Sequence, residues 1–146
     1  MKKMIIATIL VGATFAASAV EVGVSAVRDG TIDKTGLRVT ANVGSIAGFT
    51  PQLSATRIDG AYTRFGAGGE YALAKVGPVA LAATAAVVYQ DSNVKVDGYG
   101  VTAGLKATLP LTKHIDLVAG VERFAGQHRI ASSNSTVSSL GLNVKF

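Results

Sequence analysis

The sequence contains no cysteine, so its fold must hold without disulfides. It also lacks any basic segment. Its net charge is +5 and its pI about 9.7, but the lysines and arginines stand singly along the chain. Without a basic stripe or a recognisable binding motif, recognition of RNA or DNA is excluded. There are only two histidines, His114 and His128, far apart in the chain. Long apolar runs are scarce as well, although 49% of the residues are hydrophobic. The longest stretch past residue 20, "VGPVALAATAAVVY", is broken by Gly77 and Pro78 and is too short for a helix that needs about 20 residues to cross a bilayer.

The first 19 residues stand apart from the rest. Lys2 and Lys3 form a positive start, residues 5–17 are apolar, and Ala17-Ser18-Ala19 has the small-residue pattern of a leader-peptide cleavage site. The apolar segment is short for an uncleaved membrane anchor. A cleaved signal peptide over 1–19 and one domain over 20–146 are therefore expected.

Within 20–146 the apolar residues fall on every second position, which is the signature of strands with two unlike faces. In "LRVTANVG", Leu37, Val39, Ala41 and Val43 alternate with Arg38, Thr40, Asn42 and Gly44. "VTAGLKATL" and "SLGLNVKF" repeat the pattern, and helical spacing fits none of them. Turn signals divide the chain into eight strands near 20–28, 35–46, 51–58, 61–75, 78–90, 97–109, 114–127 and 136–146. All three prolines, Pro51, Pro78 and Pro110, fall on alternate connections, and the other connections are rich in Asp, Asn, Ser and Gly. An up-and-down meander places alternate connections at one end, so one end carries tight turns and the other polar loops.

That arrangement predicts an all-β, eight-stranded antiparallel up-and-down barrel, and two solvents remain to be distinguished. A soluble barrel of the lipocalin type keeps its apolar face inside. A transmembrane barrel turns it outward. The polar face here collects Glu21, Arg38, Arg64, Glu70, Lys106, Asp116, Glu122 and Lys145, four acids and four bases. A single charge facing mid-membrane hydrocarbon costs about 2–4 kcal/mol, whereas opposite charges can pair inside a lumen. Glycines on the same face, Gly44 and Gly104 among them, leave room for these long side chains. The phase of the seventh strand is irregular. Val118 and Phe124 fall inward and Arg123 outward, while Arg57 of the third strand also falls outward. Snorkelling or a bulge would account for the two arginines. Aromatic residues are expected as girdles at the two interfaces: Phe65, Tyr89, Tyr99 and Phe124 near the loop end, and Phe49, Tyr71 and Phe146 near the proline end.

With these features in place, the sequence resembles the small eight-stranded bacterial outer-membrane barrels of the OmpA/OmpX-like type. The likeness covers 20–146. Its most specific part is the final stretch, where Ser139, Gly141, Val144 and Phe146 match the polar, glycine, apolar and terminal aromatic positions of that class. The resemblance implies that these four residues form the signal read by the barrel assembly machinery. It further implies location in the outer membrane of a Gram-negative cell, periplasmic termini, contact with lipid and lipopolysaccharide, and a monomer. It does not extend to a following peptidoglycan-binding domain or to long adhesive loops, so tethering and adhesion are not carried over.

An eight-stranded barrel is just wide enough for its own side chains. Eight charged side chains then predict a plugged lumen and a structural or interaction role. A narrow ion or small-solute channel, porin-like, is the alternative. An enzyme acting on lipid A would need a serine, a histidine and an acid held together. His128 with the nearby Ser132, Ser133 and Ser135 does not present that spacing, so no catalytic residue, cofactor or metal is expected. Loop residues Asp29, Asp33, Asp59, Asp91 and Asp97 could bind bridging cations, and Lys34, Lys95 and Arg129 could meet phosphates. Solvated turn residues are the simpler reading.

Overall fold

The computed structural model describes residues 21–92, 96–127 and 133–146. Eight strands follow one another: β1 (Glu21–Asp29), β2 (Lys34–Asn42), β3 (Phe49–Ile58), β4 (Tyr62–Val76), β5 (Val79–Ser92), β6 (Gly98–Pro110), β7 (Ile115–Gly126) and β8 (Asn134–Lys145). Each pairs antiparallel with its sequence neighbour, and β1 pairs with β8 to close the barrel. The expected leader, residues 1–19, lies outside the described residues, as do Lys95, His128, Arg129 and Ser132.

The barrel is inverted relative to a soluble protein. Exposed on its outer surface are Val24, Leu37, Leu53, Leu81, Val101, Leu105, Val121, Leu140 and Leu142. Buried within it are Asp29, Asn42, Arg64, Gln90, Asp116, Ser135 and Asn143. Backbone pairing is complete around the circle, so no sheet edge is left open along the paired registers, as a hydrocarbon solvent demands. On β6 the outward residues from Val101 to Leu109 span roughly 20 Å along the barrel axis, at about 3.3 Å per residue and about 40° of tilt. That matches the apolar band of a membrane barrel. The lipocalin alternative is thereby set aside.

Local chemistry sets the strand ends. β2 stops at Asn42 rather than near 46, because Gly44 takes a φ of +43°. This glycine belongs to a turn and not to the inner face. Ile46 and Phe49 exchange both backbone hydrogen bonds, at 2.8 and 3.0 Å. Between them Ala47 and Gly48 hold positive φ of 52° and 82°, as a type I′ turn requires. The turn is therefore tighter than expected, and Pro51 sits inside β3, opposite Gly69, instead of in the connection. Gly77, with φ +59°, precedes Pro78 in the two-residue turn between Val76 and Val79. Proline cannot take positive φ, so this turn is of type II′. The β6–β7 turn is held by Thr112, whose Oγ1 accepts from the backbone N–H of His114 at 3.2 Å and of Ile115 at 3.0 Å.

The strands differ in length. β1 and β2 have 9 residues each, whereas β4 has 15 and β5 has 14. The β4–β5 hairpin therefore projects past the rim at the turn end, and residues 71–76 of β4 are all exposed. Its register shifts between Ala72 and Ala74, leaving Leu73 as the extra residue of a bulge. β3 and β7 run without a register shift. The outward positions of Arg57 and Arg123 thus come from strict alternation near the loop end.

Candidate functional site

Among the described residues the buried polar side chains gather in the lumen, and they are layered. Nearest the loop end, β1 contributes Asp29, β4 Tyr62 and Arg64, β5 Gln90, β7 Phe124 and β8 Ser135. The Tyr62 hydroxyl donates to Asp29 Oδ2 at 2.5 Å. Arg64 Nε donates to Gln90 Oε1 at 2.7 Å, and its Nη2 donates to Ser135 Oγ at 3.2 Å. The guanidinium lies 4.0 Å from the Tyr62 ring centre and 3.7 Å from that of Phe124. Arginine suits this place because its planar, weakly hydrated head can stack and donate in fixed directions at once. Val27, Ile58, Ala61 and Val137 gather around Tyr62. Tyr62, Phe124, Ile58, Gln90 and Asp29 have no exposed surface, so this layer is tightly packed inside the barrel.

Below it, Arg38 Nη2 meets Glu122 at 2.9 Å, and Arg38 Nε donates to Thr56 Oγ1 at 2.9 Å. Two voids beside this pair hold about 20 and 30 Å³, each the size of a water site or little more. Gly104 makes room for the pair: a Cβ there would fall 2.7 Å from the Glu122 side chain.

Toward the turn end the lumen widens. Lys106 pairs with Glu70, and Lys145 pairs with Asp116 at 2.6 Å. Asn143 donates to Glu21. Gln52 donates to Asn42 Oδ1 at 2.8 Å. Glu21, Glu70, Lys106, Asp116 and Lys145 line a vestibule of about 510 Å³ that opens at the turn end.

Of the eight charges expected inside, six thus form three acid–base pairs, Glu21 is held by an amide, and Arg64 belongs to the loop-end layer. Sequence reasoning missed that layer's other members. Asp29 was expected among the loop acids, yet it is fully buried, because β1 runs one residue further than expected and keeps its inward phase. The other loop acids have surface roles. Asp33 pairs with Arg28 at 2.6 Å, Asp59 lies 3.8 Å from Arg57, and Asp97 accepts from the Ser92 backbone N–H at 2.9 Å. Lys34 donates to the Gly60 carbonyl at 3.3 Å.

One expected girdle member needs correction. Phe124 is fully buried beneath Arg64 and is not an interface residue. Gly100 makes its site, since a Cβ there would fall 2.5 Å from the ring. Phe65, Tyr89 and Tyr99 sit side by side in register on the outward phase of β4, β5 and β6, with the two tyrosine rings 5.2 Å apart. Phe49, Tyr71 and Phe146 are exposed at the turn end. In β8, Ser139 and Gly141 share the inward phase with Asn143, and Val144 shares the outward phase with Leu140 and Leu142.

This inside-out barrel is that of the small eight-stranded transmembrane proteins. Solved structures agree. A de novo designed transmembrane β-barrel superposes with a TM-score of 0.66 at 14% identity, over 88% of this chain and 96% of that one. Neisserial surface protein A gives 0.63 at 16% identity, over 86% and 95%. The N-terminal β-barrel domain of Pseudomonas aeruginosa OprF gives 0.63 at 13% identity, over 88% and 98%. At these identities the shared property is the fold. No protein-family model matches the chain, and no curated protein matches it in sequence.

Proposed function

We propose that this chain is an integral protein of a Gram-negative outer membrane, exported by the leader 1–19, whose barrel serves the envelope as a structural or interaction element and does not conduct. The observation that supports this reading is the loop-end layer: Tyr62, Arg64, Gln90 and Phe124 stack inside the lumen and are almost wholly buried. The outer-membrane barrels among its structural neighbours support the location. In this reading the termini face the periplasm, the exposed apolar band contacts lipid and lipopolysaccharide, and the barrel stands as a monomer. Ser139, Gly141, Val144 and Phe146 then address the nascent chain to the barrel assembly machinery. This reading assigns the barrel no enzymatic activity, in keeping with the outer-membrane barrels among its structural neighbours.

A narrow channel is the second reading. The vestibule opens the turn-end part of the lumen, so the Arg38–Glu122 pair and the loop-end layer above it are the groups a permeating solute would have to pass. Solute leakage from liposomes containing the refolded barrel separates the two. Folding is read in the same sample by gel mobility before and after boiling. A folded barrel without leakage is the expected result. Leakage well above empty liposomes would make the channel the leading function, and failure to insert would sink both readings.

A further inference from the structure

Three arginines on the outer wall stand at one level, as the stagger of the barrel reveals. Following direct partners from Glu21 through all eight strands leads to Ser135, two residues past Val137, the partner of Asp29. The line re-enters β1 at position 31, 10 residues nearer the loop end than it began. Shared among eight strands, this stagger is about 1.25 residues per strand, and each residue rises about 2.5 Å along the axis at about 40° of tilt. Corrected for it, Arg28 of β1, Arg57 of β3 and Arg123 of β7 differ in level by about one residue or less. All three are exposed. Phe65, Tyr89 and Tyr99 lie within about two residues of the same level, on β4, β5 and β6. The loop-end interface is therefore divided, with aromatic rings on one half of the circumference and arginines on the other.

Snorkelling accounts for an arginine at this level, but not for what lies between two of them. Arg123 and Arg28 flank β8, where Thr136 is the direct partner of Arg123 and Ser138 that of Arg28. Both hydroxyl residues are exposed. β7 and β1 lie about 10 Å apart across β8, a gap that two arginine side chains can span onto one ligand. Toward mid-membrane the same strip turns apolar at once. Val121 is opposite Ser138, Ala26 is opposite Leu140, and Val121 and Leu140 are exposed. Arg57 lacks this setting, since its partner on β2 is Leu37.

The contacts these arginines already make are surface ones. Arg28 donates from Nε and Nη2 to Asp33 Oδ1, at 3.1 and 2.6 Å, and Arg123 donates from Nε to Asn134 Oδ1 at 3.4 Å. Asp33 and Asn134 are exposed, and exposed contacts of this kind add little stability. A phosphate offers more charge and more oxygens to the same donors, and arginine holds such groups bidentately.

The geometry points to a lipid-phosphate site on the outer wall of β7, β8 and β1. Arg28 and Arg123 clamp a phosphate monoester, Thr136 and Ser138 donate to it, and the acyl chains run down over Val121, Leu140 and Ala26. The apolar strip selects a lipid over free phosphate. The inference rests on the membrane reading above and names the lipid chemistry that this reading leaves open.

The test uses the barrel folded in a maltoside detergent, which carries no phosphate, with dioleoyl phosphatidate titrated in. Amide chemical shifts of Thr136 and Ser138 report the site. Those of Tyr89 and Tyr99, at the same interface on the other half, report general partitioning. Saturable shifts are expected at the first pair and not at the second. Arg28→Gln and Arg123→Gln should each weaken binding about tenfold, in line with loss of a charge-assisted contact. Dioleoylglycerol, with the same chains and no phosphate, should not saturate the site, and inorganic phosphate should bind more weakly than the lipid. Equal shifts on both halves, or unchanged affinity in both variants, would reduce the arginines to snorkelling and overturn the site. Saturation by dioleoylglycerol would remove phosphate from the assignment, and equal binding of inorganic phosphate would remove the lipid. Both arginines are exposed, so their replacement leaves the buried layers untouched, and gel mobility checks folding in every sample. A folded barrel that fails these tests loses the site and keeps the membrane reading, whereas failure to fold in detergent or insert into liposomes would overturn both.

Discussion

Phe124 and Arg64 offer the sharpest test of how the lumen is built. Phe124→Ala removes a fully buried ring, which for a large-to-small change costs about 3–5 kcal/mol. Part of that loss is the stacking of the guanidinium 3.7 Å from the ring centre, worth about 1–2 kcal/mol where the cation is shielded from water. The control is Phe65→Ala, on the outward phase one residue from Arg64. It loses transfer to lipid, about 1.5–3 kcal/mol, but opens no cavity and touches no cation. A double-mutant cycle with Arg64→Met separates the terms. Coupling of about 1–2 kcal/mol is expected between Arg64 and Phe124, and none between Arg64 and Phe65. Stability would be read by urea titration in lipid vesicles, followed by gel mobility and far-ultraviolet circular dichroism, since the chain has no tryptophan. Coupling at Phe124 within about 0.5 kcal/mol of zero would refute the stacked layer and, with it, the inward phase of β7.

Two further expectations rest on the same inside-out logic. Lys145→Met strands the carboxylate of Asp116, which is 1% exposed, and should cost about 3–5 kcal/mol; adding Asp116→Asn should recover most of it, by urea midpoint. Val101→Arg, in the outward apolar band of β6, should cost about 2–4 kcal/mol, and Tyr99→Arg, nearer the strand end, about 1 or less; equal costs would place the membrane band elsewhere.

Much of this architecture is legible in β6, where "VTAGLKATL" alternates without interruption and announces both a strand and its inside-out sense. Period 2 is robust because one slip would move every side chain to the wrong solvent. The same rule identified the inward charges on six strands. It failed where the pattern meets a turn. Asp29 reads as a turn former, and only the continued phase of β1 reveals it as a buried acceptor for Tyr62. Gly44 reads as one more inward glycine, but its positive φ is a backbone property that alternation does not encode. The bulge at Leu73 is invisible because alanines on both sides give no contrast between faces. Phe124 illustrates the last difficulty: an aromatic near a strand end suits an interface equally well, and only the arginine three strands away shows which side it occupies.

The unequal strand lengths have a consequence for the surrounding bilayer. At about 3.3 Å per residue and about 40° of tilt, the 9 residues of β1 rise about 23 Å and the 15 of β4 about 38 Å. The taller flank stays apolar to its tip, where Leu73, Val76 and Leu81 are exposed. Hydrocarbon about 25 Å thick therefore meets a wall that fits it at β1 and overshoots it at β4 and β5. Mismatch of this kind is relieved by tilting the molecule or by thickening the adjacent lipid. Acyl chains beside β4–β5 must stretch while those beside β1–β2 do not, so the membrane meets a barrel with a front and a back.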